Sequence, residues 1–348
     1  MQDSDTPAGA PETPPDLALF QMMYGFMPSR LVYVAARLGI ADHMHAGEIT
    51  APDLARRVGA DEHALRRIMR GLVNIGVLVE DEEGRFGLTH VGEFLRSDVP
   101  GSLRDLAILS GEEFYPAWGA LLNTVRSGQT AFDSAFGTGF FRHLEQHPEA
   151  GERFNNFMVA LTTDTAAAAL EAYDFSPFRR IVDVGGGYGP LLAALLKANP
   201  QAEGVLFDTE TITQGARRYL ESAGLLERCE IVAGDFFEAV PAGGNLYVLS
   251  QVLHDWDDGH CLRILKSCRE AMPEGSTLLV LEALMPEHVG EPSSVVDSDL
   301  IMLAMTGGRE RTEAEYRDLL AASGFRLARI VPTQSPTFVI EAMRVAEQ

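Results

Sequence analysis

Arg180-Ile181-Val182-Asp183-Val184-Gly185-Gly186-Gly187-Tyr188-Gly189-Pro190, followed by Gly204-Val205-Leu206-Phe207-Asp208, is the stretch that decides the fold. An apolar run of strand length stops at a glycine turn, a helix-compatible segment follows, and a second apolar run closes on an acid. That order belongs to nucleotide-cofactor sites. Gly185, Gly187 and Gly189 let the backbone turn tightly and approach a ligand, and Asp208 stands where a carboxylate accepts hydrogen bonds from a ribose diol. A dinucleotide fingerprint beginning at Gly185 wants Gly or Ala at position 190, where Pro190 stands instead. Proline suits the first turn of a helix, so the helix still starts, but a close pyrophosphate approach is not signalled. The spacing G-x-G-x-G after Asp183 favours S-adenosylmethionine (SAM) over a dinucleotide, although a glycine-rich turn alone leaves both open.

The alternation continues downstream. Runs at 181–185, 204–208, 229–234, 246–253, 277–283, 325–331 and 337–343 have strand character, with helical stretches at 190–199, 212–223 and 258–272. Short buried strands alternating with helices predict an α/β fold with a doubly wound, mostly parallel sheet. The last two runs are joined by a Pro-containing turn instead of a helix, so they are expected as an antiparallel hairpin at the sheet edge. Open parallel sheets bind ligands at the carboxyl ends of their strands. Here those ends carry Asp183 and Gly185, then Asp208, Gly234-Asp235-Phe236, the stretch from Ser250 to Trp256, and Glu282. Asp235 and Phe236 suit adenine, the carboxylate for its exocyclic amine and the ring for stacking. The structural alternative for Asp235 is a helix cap.

Upstream, residues 1–16 are rich in Pro, Asp, Thr and Gly and read as a disordered tail. From Leu17 to about Leu38 the apolar residues are too many for a lone surface helix; the stretch either buries in the core or meets a second subunit, and the second reading is favoured. Thr50 with Asp53, Gly59 and Asp61 punctuate two short helices around a glycine turn. The hairpin Val77–Glu80 and Arg85–Thr89 completes a winged helix. Arg66, Arg67 and Arg70 give its second helix some basic character, but the wing is acidic and the 348-residue chain carries a formal net charge of −22. Phosphate binding needs clustered Lys and Arg, so nucleic acid and anionic membranes are not expected partners. Residues 102–175 read as helical with a loop near Gly128–Gly139. Phe132, Phe136, Phe140 and Phe141 there either line a pocket for a flat substrate or pack together.

An apolar content of 46% and a charged content of 22% describe an ordinary globular protein. No run reaches the ~18 to 20 apolar residues of a membrane span, and no basic-then-apolar leader is visible. Cys229, Cys261 and Cys268 have no metal-like spacing and cannot all pair, which fits buried thiols in a reducing compartment. A cytoplasmic location is expected.

Asp183-Val184-Gly185-Gly186-Gly187-Tyr188-Gly189, Gly234-Asp235-Phe236-Phe237, Leu253-His254-Asp255-Trp256-Asp257-Asp258 and Gly307-Gly308-Arg309-Glu310-Arg311-Thr312, in this order, resemble the SAM-dependent small-molecule O-methyltransferases. That family includes plant caffeate and flavonoid types and bacterial enzymes that tailor polyketides and phenazines. The resemblance covers nearly the whole chain. It implies a Rossmann-like class I methyltransferase sheet with an antiparallel last strand, plus an N-terminal winged-helix dimerisation domain. The divisions expected are a tail at 1–16, a dimerisation domain at 17–101, a helical linker and substrate cap at 102–175, and a SAM-binding domain at 176–348.

By that resemblance His254 is the general base toward a substrate hydroxyl, with Glu282 and Glu310 orienting the imidazole. A phenol with a pKa near 10 is mostly neutral at pH 7, and an imidazole of pKa about 6.5 can accept its proton as the new bond forms. Asp183, Gly185, Gly187, Asp208, Asp235, Phe236 and Ser250 are assigned to SAM, whose product is S-adenosylhomocysteine. Arg153 is a candidate for the methionyl carboxylate or a surface arginine. Met158, Met302 and Met305 would clamp an aromatic acceptor or fill core. Asp255 would touch the ligands or cap the next helix. A homodimer and an aromatic, phenolic substrate are expected, and no metal. Two rival readings keep part of this: a SAM-binding relative that hydroxylates, decarboxylates or closes a ring, and a winged-helix regulator that uses SAM as an effector.

Overall fold

The computed structural model describes residues 14–44 and 47–345. The chain divides after Glu112 into two compact units. Most of the expected tail lies outside the described residues, and the first helix, α1, already begins at Pro15, two positions before the expected domain start.

In the first unit α1 (Pro15–Met23) and α2 (Phe26–Arg37) are separate helices. Leu19, Phe20, Met22 and Met23 of α1 are exposed, Met22 by 75%. The winged helix follows with β1 (Ile49–Thr50), α3 (Ala51–Val58), α4 (Glu62–Asn74), β2 (Leu78–Glu80) and β3 (Arg85–Leu88). Thr50 Oγ1 accepts from the Asp53 amide and Asp61 Oδ1 from the Ala64 amide, so each helix starts on a capping side chain. Leu54, Met69, Leu72 and Phe86 close the core of this unit. Glu80 of β2 lies 3.9 Å from Arg66 and 3.4 Å from Arg70, so part of the basic face of α4 is neutralised by the protein's own wing. The unit ends with α5 (Arg104–Leu109).

The second unit opens with a run of helices: α6 (Tyr115–Gly119), α7 (Leu121–Ser127), α8 (Ala131–Phe136), α9 (Phe140–Gln146) and the long α10 (Pro148–Ala172). The expected loop at 128–139 thus contains α8. Thr130 caps it by accepting from the Asp133 amide, and Gly137 ends it. Phe132 and Phe140 are buried together with Met305, so these aromatic rings build a core.

The sheet contains β4 (Arg180–Val184), β5 (Glu203–Asp208), β6 (Cys229–Ala233), β7 (Leu246–Ser250), β8 (Thr277–Ala283), β9 (Phe325–Pro332) and β10 (Thr337–Arg344). Its order is β6-β5-β4-β7-β8-β10-β9. The first five strands are mutually parallel, and β10 runs antiparallel between β8 and β9. The strands explain their own burial by alternation. Val182, Val205, Tyr247 and Leu278 face one core, and Ile181, Leu206, Leu246 and Leu279 face the other. Both faces are covered, as a doubly wound sheet requires. One is covered by α13 (Asp258–Ala271) and α15 (Glu313–Ala322), the other by α10, α11 (Pro190–Ala198) and α12 (Glu210–Ser222).

The strand expected at 246–253 stops at Ser250. Gln251 has φ of 54°, a left-handed value that a side-chain-bearing residue adopts at a cost and that no strand continues. A 3₁₀ turn, Leu253–Asp255, follows. Among the described residues no helix is long and apolar enough to cross a membrane. Cys229, Cys261 and Cys268 are all free and buried, and burial pushes their thiols up to about 12.

Candidate active site

Chain direction turns around β4: the path runs β4 to β5 to β6 on one side, then crosses to β7 on the other. In open parallel sheets such a reversal is where ligands bind, which puts the expected crevice at the carboxyl ends of β4 and β7. The glycine turn lies at that point. Gly185 and Gly187 have φ of 71° and 58°, values suited to glycine. A Cβ on Gly186 would lie 2.7 Å from the Asp183 carboxyl carbon, so only a bare backbone passes there. Asp208 holds the turn in place. Its Oδ2 accepts from the Gly187 amide at 2.8 Å and its Oδ1 from the Thr209 amide at 2.7 Å.

Several buried polar atoms at this crevice have no hydrogen-bond partner among the described residues: both carboxylate oxygens of Asp183, Ser250 Oγ and Gln251 Oε1. Burial, then the nearby Asp208, pushes Asp183 up to about 7. Native proteins pair such groups, which marks this set as a candidate ligand site. Asp235 is exposed and Phe236 half-buried just beyond β6. Asp235 Oδ1 accepts from the Phe237 amide at 2.8 Å, so it caps the local turn while leaving its second oxygen available. One carbon of the Phe236 ring, Cε1, lies 3.6 Å from a Cβ built on Gly185, which places the ring beside the glycine turn. Arg153, on α10, is ion-paired at 3.1 Å with Glu149 one turn earlier.

The second cluster is centred on His254, in the 3₁₀ turn after β7. Its Nδ1 lies 2.9 Å from Glu310 Oε1 and 3.5 Å from Glu282 Oε2. Ionised carboxylates only accept, so Nδ1 carries the hydrogen and Nε2 is the nitrogen left for chemistry. Glu282, fully buried on β8, is fixed through Oε1 by the Val252 and Leu253 amides at 3.0 and 2.9 Å. Glu310 also accepts from Ser298 Oγ at 2.6 Å, while its own amide donates to Asp299 Oδ1 at 2.9 Å. Ser298 and Asp299 lie on α14 (Ser294–Met305), and nothing in their sequence context marks them. Gln251 is the other residue that sequence reasoning misses. Its run of apolar neighbours reads as strand, and its conformation is the only signal.

Charge in this cluster is heavily negative. Burial pulls His254 down, but the combined field of Glu282, Asp255 and Glu310 outweighs it and pushes the imidazole up to about 10. Burial pushes Glu282 up to about 7 against the pull of His254, and Asp255 up to about 6. The ligating atoms of His254, Glu282 and Glu310 lie within 4.8 Å of one another, a spacing that would also admit a cation. Within it, His254 Nδ1 and Glu310 Oε1 are hydrogen-bonded, while Glu282 Oε2 has no hydrogen-bond partner among the described residues.

The remaining candidates divide. Asp255 joins the His254 cluster electrostatically, and the cap of α13 is Asp257, whose Oδ1 accepts from the His260 amide at 2.9 Å. Met158 and Met302 are half-buried on α10 and α14. Met305 is 2% exposed and packs in the core with Phe132 and Phe140, as a filler of core space.

Comparison with known proteins matches residues 20–98 to the O-methyltransferase dimerisation domain and residues 118–326 to the O-methyltransferase domain. The phenazine O-methyltransferase of Lysobacter antibioticus is 45% identical over 93% of this chain and 95% of the relative. The phenazine-1-carboxylate N-methyltransferase of Pseudomonas aeruginosa is 38% identical over 94% and 96%. The crystal structure of LaPhzM superposes with a TM-score of 0.93 at 44% identity, covering 96% of this chain and 100% of that one. An O-methyltransferase from neocarzinostatin biosynthesis, in complex with SAM and 2-hydroxy-5-methyl naphthoic acid, gives 0.83 at 35% identity, covering 92% and 96%. Sequence, domain order and sheet topology agree: this chain belongs to the O-methyltransferase family, with a dimerisation domain preceding the methyltransferase domain.

Proposed function

We propose that this enzyme transfers the methyl group of SAM to a hydroxyl of an aromatic small molecule in secondary metabolism, with His254 as general base. The observation that carries this reading is the imidazole whose Nδ1 faces Glu310 and Glu282 in the turn after β7, at the same carboxyl ends of the parallel strands as the glycine turn and the unpartnered Asp183 and Ser250 side chains. When bound, SAM supplies a sulfonium methyl and leaves as S-adenosylhomocysteine. Asp208 would take the ribose diol, Asp235 and Phe236 the adenine, and the Gly185–Gly187 backbone with Asp183 and Ser250 the remainder. Arg153, which is ion-paired with Glu149, is the side chain proposed for the methionyl carboxylate. Met158, Met302 and Asp255 are the side chains proposed to meet the acceptor.

His254 Nε2 accepts the hydroxyl proton as the acceptor oxygen attacks, and the two glutamates stabilise the imidazolium that forms. Its raised basicity matters. A base whose conjugate acid lies at about 10 meets a phenol of about 10 on nearly equal terms, so proton transfer is not uphill. The cost is that the neutral imidazole is scarce at pH 7, and kcat/KM should climb with pH through the alkaline range.

Glu282→Gln tests this. The amide oxygen can still accept from Val252 and Leu253, but the first of the three charges that raise His254 is gone, so the imidazole titrates lower. The rising limb of kcat/KM against pH is expected to move down by about one unit or more. An unmoved limb removes His254 as the titrating base.

The Pseudomonas relative is an N-methyltransferase, which makes a ring nitrogen the second candidate for the methylated atom. For the non-methylating rival, the intact His254, Glu282 and Glu310 contacts offer no motive, since hydroxylation or decarboxylation does not need a clamped base. The exposed apolar face of α1 and the dimerisation-domain match support a homodimer. The self-paired Arg66 and Arg70 weigh against DNA as a partner. The three buried free thiols fit a cytoplasmic location.

A further inference from the structure

We propose that Arg311 is a positioning residue for methyl transfer: its guanidinium fixes the backbone turn that carries His254 and thereby aims the imidazole. The proposal rests on the reading of His254 as the base.

Arg311 is fully buried, an expensive place for a guanidinium unless every donor is used. Its donors go to one place. Nη1 donates to the Leu253 carbonyl at 3.0 Å and Nη2 to the Trp256 carbonyl at 2.8 Å, the residues bracketing the 3₁₀ turn. Of the two carbonyls between them, that of His254 accepts from the Arg309 amide at 2.8 Å. The counter-charge is Asp258, whose Oδ1 lies 2.8 Å from Nη2 and 3.1 Å from Nε. Gly308 makes the approach possible, because a Cβ there would overlap the His254 carbonyl and lie 2.6 Å from the Trp256 nitrogen.

This grip is joined to both carboxylates. The preceding residue, Glu310, holds the imidazole itself. The Arg311 carbonyl accepts from the Met285 amide at 3.0 Å, pinning the segment to the chain just past the strand that bears Glu282. One short segment therefore sets the backbone of His254 and the relative placement of Glu282 and Glu310. Lysine keeps the charge but has no planar fork to span two carbonyls.

The test is ¹⁵N NMR titration of the His254 imidazole in the full-length enzyme without acceptor, in Arg311→Lys and Arg311→Met, together with SAM affinity by calorimetry and kcat. The sign of the titration shift separates positioning from charge. Removing a nearby cation alone would raise the imidazole pKa, whereas loosening the turn away from Glu282 and Glu310 lowers it. We expect His254 to titrate lower by at least about one unit in both variants, with SAM affinity within roughly twofold and kcat reduced ~10- to 100-fold. A His254 titration that is unchanged or raised overturns the proposal. If neither variant folds, Asp258→Ala keeps the guanidinium but removes the carboxylate that anchors it at a half-exposed position, where Arg309 loses the same partner and keeps Glu315. A roughly fivefold or greater fall in kcat at unchanged SAM affinity is then expected, and wild-type kcat overturns the proposal. If His254→Ala retains turnover, the base assignment fails on its own, since the titration requires no turnover.

Discussion

Replacing His254 with Ala is expected to lower kcat by roughly 10²- to 10⁴-fold while leaving SAM affinity within about twofold. The first half follows from geometry. Nδ1 is committed to Glu310 at 2.9 Å, and its charge state is set by acids that remain in the variant. With the imidazole gone, the cluster keeps the carboxyls of Glu282 and Asp255, and Glu282 Oε1 stays committed to the Val252 and Leu253 amides. The nitrogen that Glu310 orients is lost, so the phenol proton has no positioned imidazole to accept it. The second half follows from separation of labour. The glycine turn is held by Asp208 through the Gly187 amide, and nothing in that bond involves His254. Steady-state kinetics with calorimetric SAM titration checks both halves. A kcat within threefold of wild type would leave proximity as the source of catalysis.

The opposite pattern is expected of Asp208→Ala: loss of SAM binding by roughly 10²-fold or more. Asp208 accepts the Gly187 and Thr209 amides through separate oxygens, so its removal strips two donors of their partners and frees the turn. Each bond to a charged acceptor contributes about 1.5–3 kcal/mol, and the proposed ribose contact disappears as well. Burial already raises the Asp208 carboxyl, which shows how much its ionised form depends on those amides. Calorimetry with S-adenosylhomocysteine is the measurement. Affinity within threefold of wild type would move the cofactor away from the carboxyl end of β5.

How much of this was visible in the chain before its coordinates? The strands were, because each is an apolar run bounded by polar or glycine residues, and packing on both faces enforces that pattern. The caps of α3 and α4 were, since Thr50 and Asp61 act within three residues of themselves. The end of β7 was not, because the left-handed backbone at Gln251 leaves no trace in residue type. The glycines flanking α8 disguised it as a loop. Met305 and Met302 read alike in sequence, and only the packing of α14 buries one more deeply than the other. Above all, the basicity of His254 lies in no single segment. It arises where the end of β7, the end of β8 and the stretch 307–311 converge, and the sequence-level value of about 6.5 moves to about 10 only there.

The central claim is methyl transfer to oxygen, and the fate of the methyl group tests it most directly. The purified enzyme would be incubated with methyl-¹³C SAM and a panel of hydroxynaphthoates, phenolic phenazines and hydroxycinnamates, with products read by mass spectrometry and NMR. The account predicts a labelled methoxy carbon on an aromatic acceptor, formed together with S-adenosylhomocysteine. An acceptor that is hydroxylated, decarboxylated or cyclised with no label incorporated, or labelled only on nitrogen, would contradict it.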